Sequence, residues 1–496
     1  MVRGIRSPTI LDATSASRKE ALSIVPHAPQ TSPSPGTLAG SRAVARDIAR
    51  VIALVATAIL HAAASGEAAE KMSAAHASIR AAEAGRHVGV LADDSFEGRE
   101  GGSRGGRAAA TYIVEQLTKL GLQPAGDSGS YYQPFGGMRN ILALVEGSDP
   151  ALAQEVVVVG AHYDHVGYGN ADNSFGPFGH VHNGADDNAS GVAGLLEVAE
   201  AIQQLPQRPR RSILIAFWDG EEKGLLGSYH FLRVAPEGLA GRRVALSVNL
   251  DMIGRLRGGR LEVYGTRTAH GLRETVVQAN SRPSHAAGLD LAFVWDIEDD
   301  SDHYPFITAR VPTVMFHTGL HDNYHRPSDD VQLINLEGIE PVARLTLGFV
   351  TAVANDAAPI PAFRDRAWGE SNATRNRVEA AAPDTDGSPR GRWGLGTRQD
   401  PGEPASPVVV RVWRDSPAAA AGALAGDRVM TVDGTRISSQ DDMIGRLRRA
   451  TVMTAIDVER RGRIVSLELR ERAEEAASLP RHEREPSGGS HIDVPP

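Results

Sequence analysis

Residues Glu155–Gly160 read EVVVVG and run directly into Ala161-His162-Tyr163-Asp164. Consecutive valines closed by a glycine read as a strand buried on both faces, the kind found inside parallel sheets. Where the apolar run stops, ionisable side chains begin. The same change of character recurs along the chain. Ser212–Trp218 (SILIAFW) is followed by Asp219-Gly220-Glu221-Glu222, and Val244–Leu250 (VALSVNL) by Asp251. Val311–Phe316 (VPTVMF) is followed by a loop with His317, His321 and His325. Amphipathic helical stretches separate these runs. Residues 150–355 are therefore expected to form a mixed, largely parallel α/β sheet flanked by helices. Open sheets of this class bind ligands beyond the carboxyl ends of their strands, which is where these charged groups fall.

Asp186-Asp187-Asn188-Ala189-Ser190-Gly191 precedes the helical stripe Val192, Leu195, Leu196, Ala199 and Ile202. It opens a helix that Ser190 or Asn188 can cap, and a carboxylate there is favoured by the exposed amides. Taken singly, these residues have ordinary readings: a cap for Asp187, a satisfied core imidazole for His162, a solvated Glu221-Glu222 pair. Taken together, two histidines and three or four carboxylates at one sheet edge describe a site for a divalent cation. The chain has no cysteine, so thiolate ligands are excluded. Imidazole with carboxylate suits zinc.

The 496-residue chain carries a net charge of −9, which gives no support to nucleic-acid binding. Gly101-Gly102-Ser103-Arg104-Gly105 fits G-x-S-x-G, but DDSFEGRE before it is not a strand, so a nucleophile elbow is rejected. Residues 1–40 read as a disordered extension or a misassigned start, and 41–69 as a signal peptide: arginines, the apolar run Val51–Leu60, then small residues. That run is too short to span a membrane, and export to the periplasm or the extracellular space is expected. Ala109–Leu122 reads as a helix ended by Gly121, within a domain spanning 70–355. Residues 356–390 lack periodicity and read as a linker, 391–473 as a small β-rich domain, and 474–496 as a disordered tail.

Five strings carry a resemblance. GAHYDHVG (160–167), GADDNASG (184–191), FWDGEEKGLLGS (217–228), NLDMIG (249–254) and YHRPSDD (324–330) resemble, in order, the M28 family of co-catalytic zinc aminopeptidases and related exopeptidases. SFEGREGG and GSYYQPF look like the family's start. The resemblance implies two Zn2+ per chain. Asp187 would bridge them, Glu222 and His325 would complete one, and His162 and Asp251 the other. Glu221 would be the general base. Asp164 would hold the His162 imidazole, Asp329 would do the same for His325, and Tyr324 would hydrogen-bond the developing oxyanion. Residues 168–184 (YGNADNSFGPFGHVHNG) depart from the pattern and could form a wall or lid; His165, His180 and His182 are expected to be solvated loop histidines rather than ligands. Pro134–Asn140 leave no room for the protease-associated insertion that many exported relatives carry.

Arg392-Trp393-Gly394-Leu395-Gly396 and SPAAAAGALAGDRVMTVDG (416–434) resemble a PDZ domain, which implies a C-terminal peptide or protein ligand. Removing residues from about 385 onward is then expected to spare hydrolysis of small substrates. The function that the resemblance implies is a zinc exopeptidase, an aminopeptidase acting on peptide substrates. A carboxypeptidase of the same fold and a glutaminyl-cyclase-like acyltransferase stay open as alternatives.

Overall fold

The apolar runs become the centre of a nine-stranded sheet. Its strands are β1 (Gln123–Pro124), β2 (Tyr132–Phe135), β3 (Met138–Val145), β4 (Glu155–His162), β5 (Ser212–Trp218), β6 (Arg243–Leu250), β7 (Arg260–Tyr264), β8 (Asp290–Phe293) and β9 (Thr313–His317). They lie in the order β1-β3-β5-β4-β6-β9-β7-β8, with β2 paired to β3. β5, β4, β6 and β9 are parallel; β3 runs antiparallel to β5, and β7 antiparallel to β9 and parallel to β8. This is a computed structural model, and it describes residue 70 and residues 72–282, 287–382 and 391–471, which belong to one compact unit. The expected extension (1–40), signal peptide (41–69) and tail (474–496) lie outside the described residues.

From β4 the chain passes to β5 on one side and then to β6 on the other. That reversal opens a crevice at the carboxyl end of β4, the usual ligand position of an open α/β sheet. β5 is buried along its whole length and β4 along all but its first residue, because helices cover both faces. Helices Gly191–Gln203 and Leu336–Asn355 pack together on one face. On the other, Trp218 meets Phe231 and Phe306 with ring centroids 5.1 and 6.0 Å apart. Gly160 makes room for that indole: a Cβ there would stand 2.4 Å from Trp218 Nε1.

Local hydrogen bonds move some boundaries. The helix expected over Ala109–Leu122 starts earlier, spanning Arg104–Lys119, because Ser103 Oγ accepts from Gly106 N–H at 3.0 Å and caps it. The serine of G-x-S-x-G is thus a helix cap. Asn188, not Ser190, caps helix Gly191–Gln203, its Oδ1 accepting from Gly191 N–H at 2.9 Å.

A second, six-stranded antiparallel sheet follows: β10 (Leu395–Arg398), β11 (Val408–Val412), β12 (Arg428–Val432), β13 (Thr435–Arg436), β14 (Met453–Arg460) and β15 (Arg463–Arg470). Helix Gln440–Arg449 packs on it through Met443 and Leu447. Asp433 and Gly434 both take positive φ, the two-residue turn that suits the twist of a hairpin.

The segment before this sheet, aperiodic in sequence, is ordered in its described part by contacts from outside itself. Asp365–Gly369 is a 3-10 turn, and helix Asn372–Glu379 is tied down as Asn372 Oδ1 accepts from Trp295 N–H at 3.1 Å. The two sheets are joined by buried ion pairs. Arg267 donates to both oxygens of Asp400 at 3.0 and 2.9 Å, Arg428 donates to the same carboxylate at 2.9 Å, and Arg273 donates to Glu459 at 2.9 and 3.1 Å. Among the described residues, no helix is long and apolar enough to cross a membrane.

Candidate metal centre

His162 is the last residue of β4. Glu221 and Glu222 lie in the turn after β5, Asp251 directly follows β6, and His325 is in the loop after β9. Asp187 comes from the loop before helix Gly191–Gln203. The strand-end pattern therefore brings all six together at the crevice beside β4. Asp187 stands in the middle. Its Oδ1 is 3.4 Å from His162 Nε2, and its Oδ2 is 3.0 Å from His325 Nε2. On one side Glu222 Oε2 lies 3.1 Å from His325 Nε2; on the other Asp251 Oδ1 lies 3.3 Å from His162 Nε2. Glu221 approaches the other nitrogen of His162, its Oε2 4.0 Å from Nδ1. It stands beside the cluster rather than between its ligand atoms.

The supporting contacts differ from the expectation in two places. Asp164 was expected to hold His162 by its carboxylate. Instead its backbone carbonyl lies 3.2 Å from His162 Nδ1, its Oδ1 lies 3.9 Å away, and Oδ1 accepts from Glu221 N–H at 3.1 Å. The extended strand end points the carboxylate at the neighbouring turn, so Asp164 positions the Glu221 backbone. Asp329 was expected to hold His325. Its Oδ2 instead accepts from the Asp186 and Asp187 amides at 2.9 and 3.0 Å, fixing the central loop.

Further supporting residues carried no short-range signal. Asn188 donates to Leu250 O and accepts from Met252 N–H at 3.0 and 3.2 Å, gripping the residues on either side of Asp251. Ser301 Oγ donates to Asp251 Oδ2. Arg99, fully buried, donates to the carbonyls of Leu91, Tyr163, Asn183 and Gly184. Gly184 has a φ of +52°, and a Cβ there would meet Asp187 O at 2.0 Å and the His165 ring at 2.5 Å, so only glycine fits.

The histidines of the departing segment are not all solvated. His180 is exposed, but His165 and His182 are buried. His182 Nε2 pairs with Ser174 Oγ at 2.6 Å. His165 Nδ1 lies 2.8 Å from Glu222 Oε1, inside the cluster. The signal for it was its position three residues after His162, which carries it over the strand end toward Glu222. Residues 168–184 pack against the loop of His325: Phe175 N–H and Ser174 Oγ donate to His325 O at 3.1 and 3.0 Å.

The electrostatics suit a cation. Burial works against protonating His325, but the Asp187 and Glu222 carboxylates beside its Nε2 outweigh it and lift its pKa to about 10. Burial would raise Asp187, but His165, His162 and His325 hold it well below the carboxylate range. Glu221 is raised well above the usual range by burial, with His162 opposing and Glu222 adding. Such a cluster draws protons onto its imidazoles because it lacks positive charge. Asp187 Oδ2 and His325 Nε2 are buried without a hydrogen-bond partner. Converging unpartnered lone pairs of imidazole and carboxylate fit zinc.

The cluster opens into a cavity of about 490 Å³ lined by His162, Asp187, Glu221, Asp251 and Tyr324, and beyond them by Glu262, Glu298 and Asp300. The Tyr324 ring stacks on His325 with centroids 3.9 Å apart.

The family model described as Peptidase family M28 matches residues 140–350, and that of the PDZ domain residues 388–470. Leucine aminopeptidase 1 of Arthroderma gypseum is 26% identical over 279 residues, 52% of this chain and 71% of that protein. Aminopeptidase YwaD of Bacillus subtilis is 29% identical over 212 residues, 41% of this chain and 43% of that protein. The solved LapA aminopeptidase of Legionella pneumophila is 19% identical, with a TM-score of 0.48 over 58% of this chain and 76% of that one. Residues 140–350, which supply strands β4 to β9 and the whole cluster around Asp187, are a peptidase family M28 domain, and a PDZ domain follows them at 388–470.

Proposed function

We propose that this chain is a two-zinc aminopeptidase. The observation that carries the reading is the division of Asp187, whose two oxygens face two separate sets of ligand atoms, His162 with Asp251 and Glu222 with His325. In this reading Asp187 would hold both ions, and two zinc ions held by these residues would supply Lewis acidity and a water of lowered pKa. Glu221, beside the cluster and on the cavity wall, takes the proton of the attacking water and passes it to the leaving amine. Asp164 holds the Glu221 backbone in place for this. Tyr324, stacked on His325 at the cavity edge, donates to the developing oxyanion.

The cavity lining supports recognition of an amine. Glu262, Glu298 and Asp300 offer carboxylates, while Arg257 Nη2 is turned to the carbonyls of Gly319 and Leu320, 3.0 Å from each. Arg260 faces Glu262 at 3.9 Å. A carboxypeptidase would want an unopposed cation at this wall. A cyclase-like acyltransferase would have no use for a second set of ligands. The relatives named as aminopeptidases agree with the hydrolytic reading.

The proposal includes export to the periplasm or extracellular space, and an extended peptide added at the outer edge of β10, which ends its sheet. The test is hydrolysis of a dipeptide-amide library with free and acetylated N-termini, with metal content measured on the same sample. Cleavage confined to free amines at two zincs per chain is expected. Cleavage of acetylated substrates at equal rates would overturn the aminopeptidase reading.

A further inference from the structure

His165 lies outside the five ligands of the two-zinc reading, yet its side chain is fully buried in their midst. Its Nδ1 is 2.8 Å from Glu222 Oε1 and 3.6 Å from Asp187 Oδ2. His325 Nε2 approaches the same two carboxylates at 3.1 and 3.0 Å. Two imidazoles and two carboxylates thus face one common centre. Four atoms bound to one zinc at about 2.0–2.1 Å in tetrahedral geometry stand roughly 3.3 Å apart. The separations, with His165 facing Glu222 Oε1 and His325 facing Glu222 Oε2, bracket that value.

A simple hydrogen bond from His165 to Glu222 would leave Asp187 Oδ2 and His325 Nε2 buried and unpartnered. A cation at the centre satisfies both and uses His165 Nδ1 as well. His165 Nε2 is without a partner whichever way Nδ1 is used. The position is also built rather than incidental. His165 N–H donates to Arg99 O at 3.3 Å, and the ring lies where only a glycine at 184 leaves space for it. The other half of the cluster is poorer in ligands: His162, Asp251 and the shared Asp187, with Glu221 at the far nitrogen of His162.

We infer that His165 is a sixth protein ligand, so that one zinc is held by His165, Asp187, Glu222 and His325 and the other by His162, Asp187 and Asp251 alone. The two ions then differ in kind. The first is coordinatively enclosed and retained tightly. The second keeps more open positions, faces the cavity and exchanges more readily. This inference rests on the two-zinc reading above.

The experiment uses the full chain. Zinc-loaded wild type, His165→Ala and His165→Gln are dialysed against graded chelator, and zinc per chain is measured by atomic emission, with folding followed by circular dichroism. Wild type is expected to lose its zincs in two steps. Each variant should weaken the more tightly held zinc by more than about 100-fold, beyond the 10–100-fold that loss of a ligand's hydrogen-bond partner costs. Zinc K-edge absorption of the wild type should count three imidazoles across two zincs. If the alanine variant fails to fold, the glutamine variant and the wild-type spectrum decide. A count of two imidazoles, or release from folded variants matching wild type, would overturn the sixth ligand while leaving the two-zinc reading intact. A wild type that binds fewer than two zincs would overturn that reading itself, and this inference with it.

Discussion

Ser301 Oγ donates to Asp251 Oδ2 at 2.5 Å while the other oxygen of the same carboxylate, Oδ1, faces His162 Nε2 at 3.3 Å. One hydroxyl thus fixes which oxygen is free for a metal, and Asn249 Nδ2 holds that hydroxyl in turn at 2.8 Å. Ser301→Ala should therefore weaken zinc at the His162–Asp251 position by about 10–100-fold and leave the other ion in place. Chelator titration with zinc analysis reads this directly, and equal retention of both ions would count against the role.

Glu221→Gln keeps the shape of the turn and the amide that Asp164 accepts from. It should retain zinc and lower kcat by about 10²–10⁴-fold, the usual worth of a general base. Full activity in a zinc-replete variant would show that another group moves the proton.

Asp187→Ala removes the carboxylate shared by both halves of the cluster. Both ions should be lost on gel filtration. A folded variant that still carries two zincs would refute the bridging role.

The two sheets share a buried charge network, with Asp400 accepting from both Arg267 and Arg428. Asp400→Ala should destabilise the chain by about 3 kcal/mol, because Arg267 and Arg428 stay buried with one carboxylate fewer, Glu370 and Glu379 remaining to them. Truncation after residue 382 would strip Arg267 and Arg273 of Asp400 and Glu459, so the module is expected to support the peptidase domain rather than be dispensable to it. Urea unfolding, with zinc content as a control, measures both; a truncated chain as stable as the full one would contradict this.

Glu403 lies between the two sheets, where burial pushes its carboxyl up to about 7 against the opposing pull of Arg267, Arg428 and Arg273. A carboxyl raised above its ordinary value of about 4.3 binds more protons in the folded state than in the unfolded one. Its contribution to stability is fully present below about pH 4.3 and is lost as pH rises through about 7. Glu403→Gln should match wild type near pH 4 and exceed it at pH 8.5 by on the order of 3–4 kcal/mol. Parallel unfolding curves at the two pH values are the check, and an unchanged difference would place the proton elsewhere.

Much of the site was legible because strand ends are local events. EVVVVG, SILIAFW and VALSVNL are each too apolar to lie anywhere but inside, so the polar residues after them had to reach one edge. His162, Glu221, Glu222 and Asp251 follow from that alone. Ser301, Asn188 and Arg99 did not, because each acts across a long sequence separation on a group that its own neighbourhood does not announce. The resemblance gave Asp164 and Asp329 each to a histidine, whereas the direction of the backbone sends one oxygen of each carboxylate to an amide. His165 reads as a solvated loop residue because a stretch rich in Gly and Asn carries no sign of burial; the left-handed turn at Gly184 and the backbone carbonyl of Arg99 draw it inward.

By itself the sequence determined the sheet, the edge at which the chemistry collects and the chemical type of the site, since apolar runs and the absence of cysteine act locally and by composition. Only the tertiary structure decided which atoms meet: that Asp187 turns one oxygen to each set of ligands, that His165 joins one of them, and that the C-terminal sheet is locked on by buried arginines. Hydrogen bonds and ion pairs depend on separations of a fraction of an ångström between residues far apart in the chain, and those are set only when the whole core packs.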